Sequence, residues 1–197
     1  MTQTILIIKS SPRDNGNSSV LANVVGAGAA EAGGVVDVFS LHTMDIRPCD
    51  ACDSCIETGG VCVIKDEMQT LYPKLSSADA IVLASPVYWF TISAQMKAFI
   101  DRWYAFEGSD EDELAGKKFG IILTYGDSDP YLSGAVNAIH TYQSICHYIK
   151  AEIVGMVYGT ANNIGDIEKK PELMEKAYNL GKLLASEPEQ SLDLLQE

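Results

Sequence analysis

Between an apolar run, Thr4-Ile5-Leu6-Ile7-Ile8, and the start of a helical pattern lies the segment Ser10-Ser11-Pro12-Arg13-Asp14-Asn15-Gly16-Asn17-Ser18-Ser19. Hydroxyls, amides and one guanidinium gathered before a helix make an anion cradle. Free N–H groups at a helix N-terminus carry partial positive charge, and Ser, Asn and Arg side chains add donors. The segment has neither Gly-x-x-x-x-Gly-Lys-Ser/Thr nor Gly-x-Gly-x-x-Gly, so it is built for neither a triphosphate nor a dinucleotide. The single terminal phosphate of a mononucleotide such as FMN suits it. From these residues alone, a plain turn capped by Asn17 or Ser18 is the alternative.

Two further segments complement the cradle. Ser85-Pro86-Val87-Tyr88-Trp89-Phe90-Thr91 offers an apolar, aromatic surface with backbone groups free to bond an edge, and Thr124-Tyr125-Gly126-Asp127-Ser128 offers a small residue among polar ones. A phosphate seat, an apolar plate and hydrogen-bonding edges together suit a planar flavin. A contact with a neighbouring subunit is the other use for Tyr88-Trp89-Phe90.

The thiols form a third group. Of five cysteines, four fall at Cys49-x2-Cys52-x2-Cys55-x6-Cys62. Two successive x2 spacings let three thiolates wrap one centre while a fourth returns from a short loop. That spacing resembles cluster ligation more than a zinc ribbon. Zinc and unligated thiols remain open, and Asp50, Asp53 and Glu57 add charge that opposes an anionic cluster. Cys146, between Ile145 and Ile149, reads as core. His140 and His147 read as packed or surface imidazoles, and His42 joins no constellation. No Ser-His-Asp pattern supports hydrolysis.

The elements that must position these segments alternate. Strands are expected at about 4–9, 35–40, 80–84, 118–124 and 152–158. Helices are expected at about 17–32 (stopped by Gly33-Gly34), 67–77 (with Asp66 as N-cap and Pro73 disturbing the last turn), 93–106, 132–149 and 168–186. The small residues at 26–30 would let the first helix pack closely. Strands separated by helices imply an α/β, three-layer sandwich with a five-stranded parallel sheet in the order 2-1-3-4-5, the flavodoxin-like arrangement. Ligands in such sheets sit beyond the carboxyl ends of the strands, which gathers loops 10–18, 85–91 and 124–131 in one crevice.

With 197 residues, 47% of them hydrophobic, the expectation is a single domain, 1–197, carrying a cysteine-rich insertion at about 42–65. The net charge of −13 argues against nucleic acid and anionic membranes as partners. No apolar window is long enough for a membrane span. Five carboxylates between Glu107 and Glu113 read as a solvated loop, and the tail after Pro188 as frayed. An odd cysteine count and no signal-peptide pattern point to a cytoplasmic location.

Ser11-Pro12-Arg13 with Gly16-Asn17-Ser18, and Ser85-Pro86-Val87-Tyr88 followed by Lys97, Phe99, Ile100, Asp101 and Arg102, resemble the NADPH-dependent FMN reductases; the four-cysteine segment resembles their iron–sulfur flavoprotein branch. The resemblance runs from about residue 4 to 160. Ser10 departs from it, standing where relatives usually carry glycine, so the path into the loop is expected to differ slightly. The resemblance implies that Ser11, Arg13, Asn17 and Ser18 hold the FMN phosphate. Pro86, Val87, Tyr88, Trp89 and Phe90 would line the isoalloxazine, and Thr124, Tyr125, Gly126 and Asp127 would flank the ribityl chain or ring. It also implies a [4Fe–4S] cluster on Cys49, Cys52, Cys55 and Cys62. Asp101 and Arg102, inside a helix, are read as structural. No side chain is assigned as catalytic, because the flavin carries the chemistry.

The expected function is therefore an FMN-dependent oxidoreductase. It would pass electrons from NAD(P)H or a reduced carrier to a flavin, quinone or other small acceptor. The alternative is an electron-transfer iron–sulfur flavoprotein docking on ferredoxin-like partners. A homodimer or homotetramer is expected in either case.

Overall fold

The strands and helices follow from hydrophobic patterning. The structure, a computed structural model, describes residues 2–109 and 112–186. The centre of the acidic run and the tail after Pro188 lie outside them. β1 (Thr4–Lys9), β2 (Val35–Ser40), β3 (Ala80–Tyr88), β5 (Lys118–Tyr125) and β6 (Glu152–Thr160) form a parallel sheet in the order β2-β1-β3-β5-β6. The two-residue β4 (Thr91–Ile92) pairs antiparallel with the end of β3. This is the flavodoxin-like order expected from the sequence, with β5 and β6 as its fourth and fifth strands.

Side chains alternate across the central strands, so each face receives half of them. Ile5, Ile7, Val82, Ala84 and Ile122 meet α1 (Asn17–Glu31) and α6 (Pro171–Ala185). Leu6, Ile8, Ile81, Leu83, Ile121 and Leu123 meet α3 (Met68–Ser77), α4 (Ala94–Asp101) and α5 (Ala135–Tyr148). Ile5 to Ile8 are wholly buried, each stabilising the fold by roughly 1.5–3 kcal/mol. α1 and α6 touch backbone to backbone: a Cβ at Gly28 would strike the Tyr178 carbonyl, and one at Gly181 the Val25 carbonyl. The small residues of α1 therefore serve this helix–helix contact as well as the sheet.

Several expected boundaries move. β3 runs four residues further than its apolar core, to Tyr88. Pro86 is tolerated there because the β1 pairing ends at Ala84, which accepts the Ser10 N–H (3.0 Å); beyond it β3 runs beside β5 alone, with Pro86 opposite Thr124. α4 ends at Asp101 and tightens into a 3₁₀ stretch, Arg102–Gly108. α5 begins at Ala135 rather than 132. The last helix opens with Pro171 at its first position, after a 3₁₀ turn at Ile167–Lys169, a position where proline's missing N–H costs nothing. α3 continues past Pro73 to Ser77, and Asp66 accepts the Met68 N–H (3.1 Å) at its start. No helix among the described residues is long and apolar enough to cross a membrane.

Candidate active site

The carboxyl edge of the sheet brings the first crevice loop to the ends of β3 and α4. Ser10 is fully buried and has no left-handed backbone. Its hydroxyl donates to the Ala84 carbonyl (3.1 Å) and accepts from Ser93 Oγ (2.8 Å). Ser93 also caps α4, and its N–H donates to Ser85 Oγ (3.0 Å). Three buried hydroxyls thus knot β1, β3 and α4 beneath the crevice. A glycine at position 10 could not do this.

Above the knot, the Arg13 N–H donates to Ser11 Oγ (3.2 Å) and the Gly16 N–H to the Arg13 carbonyl (3.0 Å). Gly16, with ordinary φ −61° and ψ 144°, takes the N-cap position of α1, and no side chain caps the helix. The expected caps, Asn17 and Ser18, fall inside the first turn. Arg13 is exposed, while Ser11 and Ser18 are buried. Asn17 is occupied elsewhere: its Nδ2 donates to the carbonyls of Asn163 (2.9 Å) and Ala161 (3.4 Å), and its Oδ1 accepts the Ile167 N–H (3.3 Å). Its amide straps the segment after β6, leaving its backbone N–H for an anion.

The second loop is a tight hairpin between β3 and β4. Trp89 (φ 46°) and Phe90 (φ 68°) both stand in the left-handed region, as a two-residue type I′ connection requires. Aromatic residues there store strain of order 1–3 kcal/mol each, the kind found at ligand sites. Trp89 is 91% exposed and Tyr88 and Phe90 are also exposed, whereas Pro86 is buried and Val87 half-buried. The Asn137 amide holds the Phe90 carbonyl (3.1 Å), and Phe90 fills the space where Gly134 would carry a side chain. Replacing the pair by the relaxed turn (Trp89→Asn with Phe90→Gly) is expected to raise stability by about 1–3 kcal/mol. The same change should weaken flavin binding at least tenfold; thermal melts and FMN titrations of the variant check both.

In the third loop Thr124 and Tyr125 are buried, while Gly126 and Asp127 are exposed. The Asn162 amide donates to the Gly126 carbonyl (2.6 Å) and the Thr160 hydroxyl to the Asp127 carbonyl (2.7 Å), so the end of β6 fixes this loop.

The cysteine segment lines a cavity that shares no residue with these loops. Cys49, Cys52, Cys55 and Cys62 all line one small cavity, of about 20 Å³, with Ile64, Arg102 and Tyr104. The backbone is left-handed at Ala51 and Asp53, on either side of Cys52. Cys55, in the short helix α2 (Ser54–Glu57), is buried. Burial, with Cys62 and Cys49 nearby, pushes its thiol up. At Cys62 burial acts in the same direction, but hydrogen bonds from the Ile64 backbone, Arg102 and Tyr72 and the Arg102 charge outweigh it and hold the thiol below its ordinary value.

Residues 3–162 match the NADPH-dependent FMN reductase family. The chain belongs to that family. It is similar to an iron–sulfur flavoprotein of Methanocaldococcus jannaschii, with 37% identity over 92% of this chain and 95% of that one. An iron–sulfur flavoprotein of Archaeoglobus fulgidus is 32% identical over 90% of this chain and 77% of its own. Among solved structures, an NAD(P)H:quinone oxidoreductase from Methanothermobacter marburgensis shares the fold, with a TM-score of 0.74 over 95% of this chain and 99% of that one at 16% identity.

For an FMN reductase the crevice fits its cofactor. The uncapped start of α1, the Gly16 cradle and exposed Arg13 offer donors for a phosphate, and the aromatic hairpin offers a plate for a ring. This member of the family is an FMN-binding oxidoreductase. The cysteine cavity offers four thiols and a buried Arg102 Nε with no acceptor among the described residues. Thiols are soft ligands of the type iron–sulfur clusters use, and the Nε–H is a hydrogen-bond donor beside them. Among the described residues no three His, Cys, Asp or Glu side chains stand where they could hold one metal ion together.

Other sequence readings land away from the crevice. Cys146 is core, its thiol pushed up to about 12 by burial, and His140 and His147 are surface imidazoles. A groove of about 830 Å³ between the 3₁₀ stretch and α5, walled by Trp103, Phe106, Leu114 and Ile149, contains none of the residues expected to bind FMN. Sequence reasoning missed the Ser10–Ser85–Ser93 knot and the contact of Arg102 with the cysteine segment. A cation among the apolar Phe99, Ile100 and Trp103 was the signal for the latter.

Proposed function

We propose that this chain takes electrons from NAD(P)H or a reduced protein carrier and delivers them to a flavin, a quinone or another small planar acceptor. FMN is held at the carboxyl edge of β1, β3 and β5. One observation carries this reading. An uncapped helix start and an exposed arginine share that edge with a strained hairpin presenting Tyr88, Trp89 and Phe90 to solvent.

Each part has a distinct task. Ser11, Arg13, Ser18 and the backbone N–H of Asn17 bind the phosphate. Pro86 to Phe90 position the ring and leave one face open, and Thr124 to Asp127 border the ribityl chain. The flavin itself supplies hydride acceptance and electron delivery, so no acid–base side chain is required. Cys49, Cys52, Cys55 and Cys62 hold a [4Fe–4S] cluster that connects the flavin to an outside carrier. The relation to proteins named iron–sulfur flavoproteins supports this, as does the shared thiol cavity.

The same chain serves as an electron carrier docking on ferredoxin-like partners if the cluster, rather than a nicotinamide, feeds the flavin; the charge of −13 favours a basic partner surface. The reading further includes a single domain with residues 42–65 as insertion, a cytoplasmic setting supported by the odd thiol count, and a homo-oligomer in which the exposed hairpin meets a neighbour. Anaerobic mixing of the FMN-loaded protein with NADH or NADPH tests the donor. Rapid bleaching followed by turnover of a quinone is the expected result. Bleaching by reduced ferredoxin alone selects the carrier reading, and bleaching by neither donor contradicts both.

A further inference from the structure

We infer that Arg102 is the positioning residue of the cysteine site: it holds Cys62 by its sulfur and, with a cluster on the four thiols, raises that cluster's reduction potential. This rests on the reading of the thiols as cluster ligands.

The geometry is specific. Arg102 is 1% exposed. Its Nη1 donates to Asp66 Oδ2 (2.6 Å) and to the Arg47 carbonyl (2.9 Å); its Nη2 donates to Cys62 Sγ (3.3 Å) and Asp66 Oδ1 (3.3 Å). Asp66 in turn accepts the N–H groups of Arg47 (2.9 Å) and Met68 (3.1 Å). One guanidinium therefore clasps the chain just before Cys49 and just after Cys62, closing the segment that carries the thiols. The Tyr72 hydroxyl locks the Arg102 carbonyl (3.1 Å).

The same contact has a redox consequence. Reduction adds negative charge to a cluster and its thiolates, so a cation and a donor at a ligand sulfur favour the reduced form. Burial strengthens the effect. Asp50, Asp53 and Glu57 pull the other way; Arg102 is the cation placed against them. Lysine cannot replace it fully, because only the planar fork reaches Asp66 twice and Cys62 at once. At the other end of α4, Ser93 bonds Ser10, so one helix of eight residues joins the FMN turn to the cysteine cavity.

The test uses the full-length protein purified anaerobically, with iron, sulfide and FMN contents measured. Cluster midpoints come from EPR-monitored redox titration of wild type, Arg102→Lys and Arg102→Gln. The expected order is wild type, then Lys, then Gln, with the Gln variant at least tenfold harder to reduce, or about 59 mV per tenfold for one electron. The FMN midpoint stays unchanged. Equal cluster midpoints in all three proteins overturn the inference. Variants that stay folded with FMN bound but hold no iron uphold it, with Arg102 needed to hold Cys62 in ligating position. Variants that lose FMN and fold together make Arg102 a fold element only and overturn it. Wild type that carries no iron, and takes none up on reconstitution, overturns the cluster reading and this inference with it, while the FMN site stands.

Discussion

Gly16→Ala is expected to weaken FMN binding at least a hundredfold while leaving the fold intact. The backbone at Gly16 suits any residue, so the whole cost comes from contact. An added Cβ would stand well inside the van der Waals radius of Ser11 Oγ, 3.0 Å from Ser11 Cβ and 3.1 Å from the Arg13 carbonyl. Rotating the Ser11 hydroxyl away would break its bond from the Arg13 N–H and would not relieve the other two contacts. The turn must open, which moves Ser11 and Arg13 off the phosphate. Losing two charge-assisted hydrogen bonds, at about 1.5–3 kcal/mol each, accounts for two or more powers of ten in affinity. Titration of FMN fluorescence against the apoprotein measures this, with a thermal melt as control. Wild-type affinity in the variant would mean that the phosphate lies elsewhere.

Arg102→Ala should destabilise the protein by about 3–5 kcal/mol, because it leaves the Asp66 carboxylate buried without its partner. For a chain of this length that is a fall of roughly 6–20 °C in melting temperature. Removing both charges together, by Arg102→Met with Asp66→Asn, is expected to recover much of the loss. The pair also has a pH signature. Burial raises the Asp66 pKa, but Arg102, the Arg47 N–H and the Met68 N–H more than offset it and hold the carboxyl below its ordinary value. A depressed carboxyl contributes stability that is complete above its unfolded pKa of about 3.9 and is lost as pH falls through the lower folded value. The stability gap between wild type and Arg102→Ala should thus be constant near neutrality and shrink only in acid. Denaturant unfolding at several pH values checks this, and a gap that widens in acid would contradict it.

Much of this architecture is legible in the chain. Continuous apolar runs and the Gly33-Gly34 stop place β1, α1 and β2 within a residue of their observed bounds. Alternation of strands with helices leaves little choice of strand order. The hairpin at Trp89 and Phe90 is illegible because type I′ turns are recognised by Asn-Gly, and here bulky residues hold that backbone. The side chain of Asn17 has a local reading as a phosphate donor, yet its partners lie at Ala161, Asn163 and Ile167, nearly 150 residues away. Ser10 shows the same limit. Its departure from glycine is visible, but its purpose depends on Ala84 and Ser93. The cysteine spacing announces a thiol site, whereas the clasp that shapes it comes from Arg102, forty residues beyond Cys62.

The most direct test of the central claim, that the turn after β1 seats the phosphate of FMN, is the flavin stoichiometry of the purified protein with a binding titration of the apoprotein. One FMN per chain, with the visible absorption of an oxidised flavin and tight rebinding that inorganic phosphate weakens, is the predicted result. A colourless protein that leaves FMN fluorescence unquenched even at high micromolar concentration would contradict it.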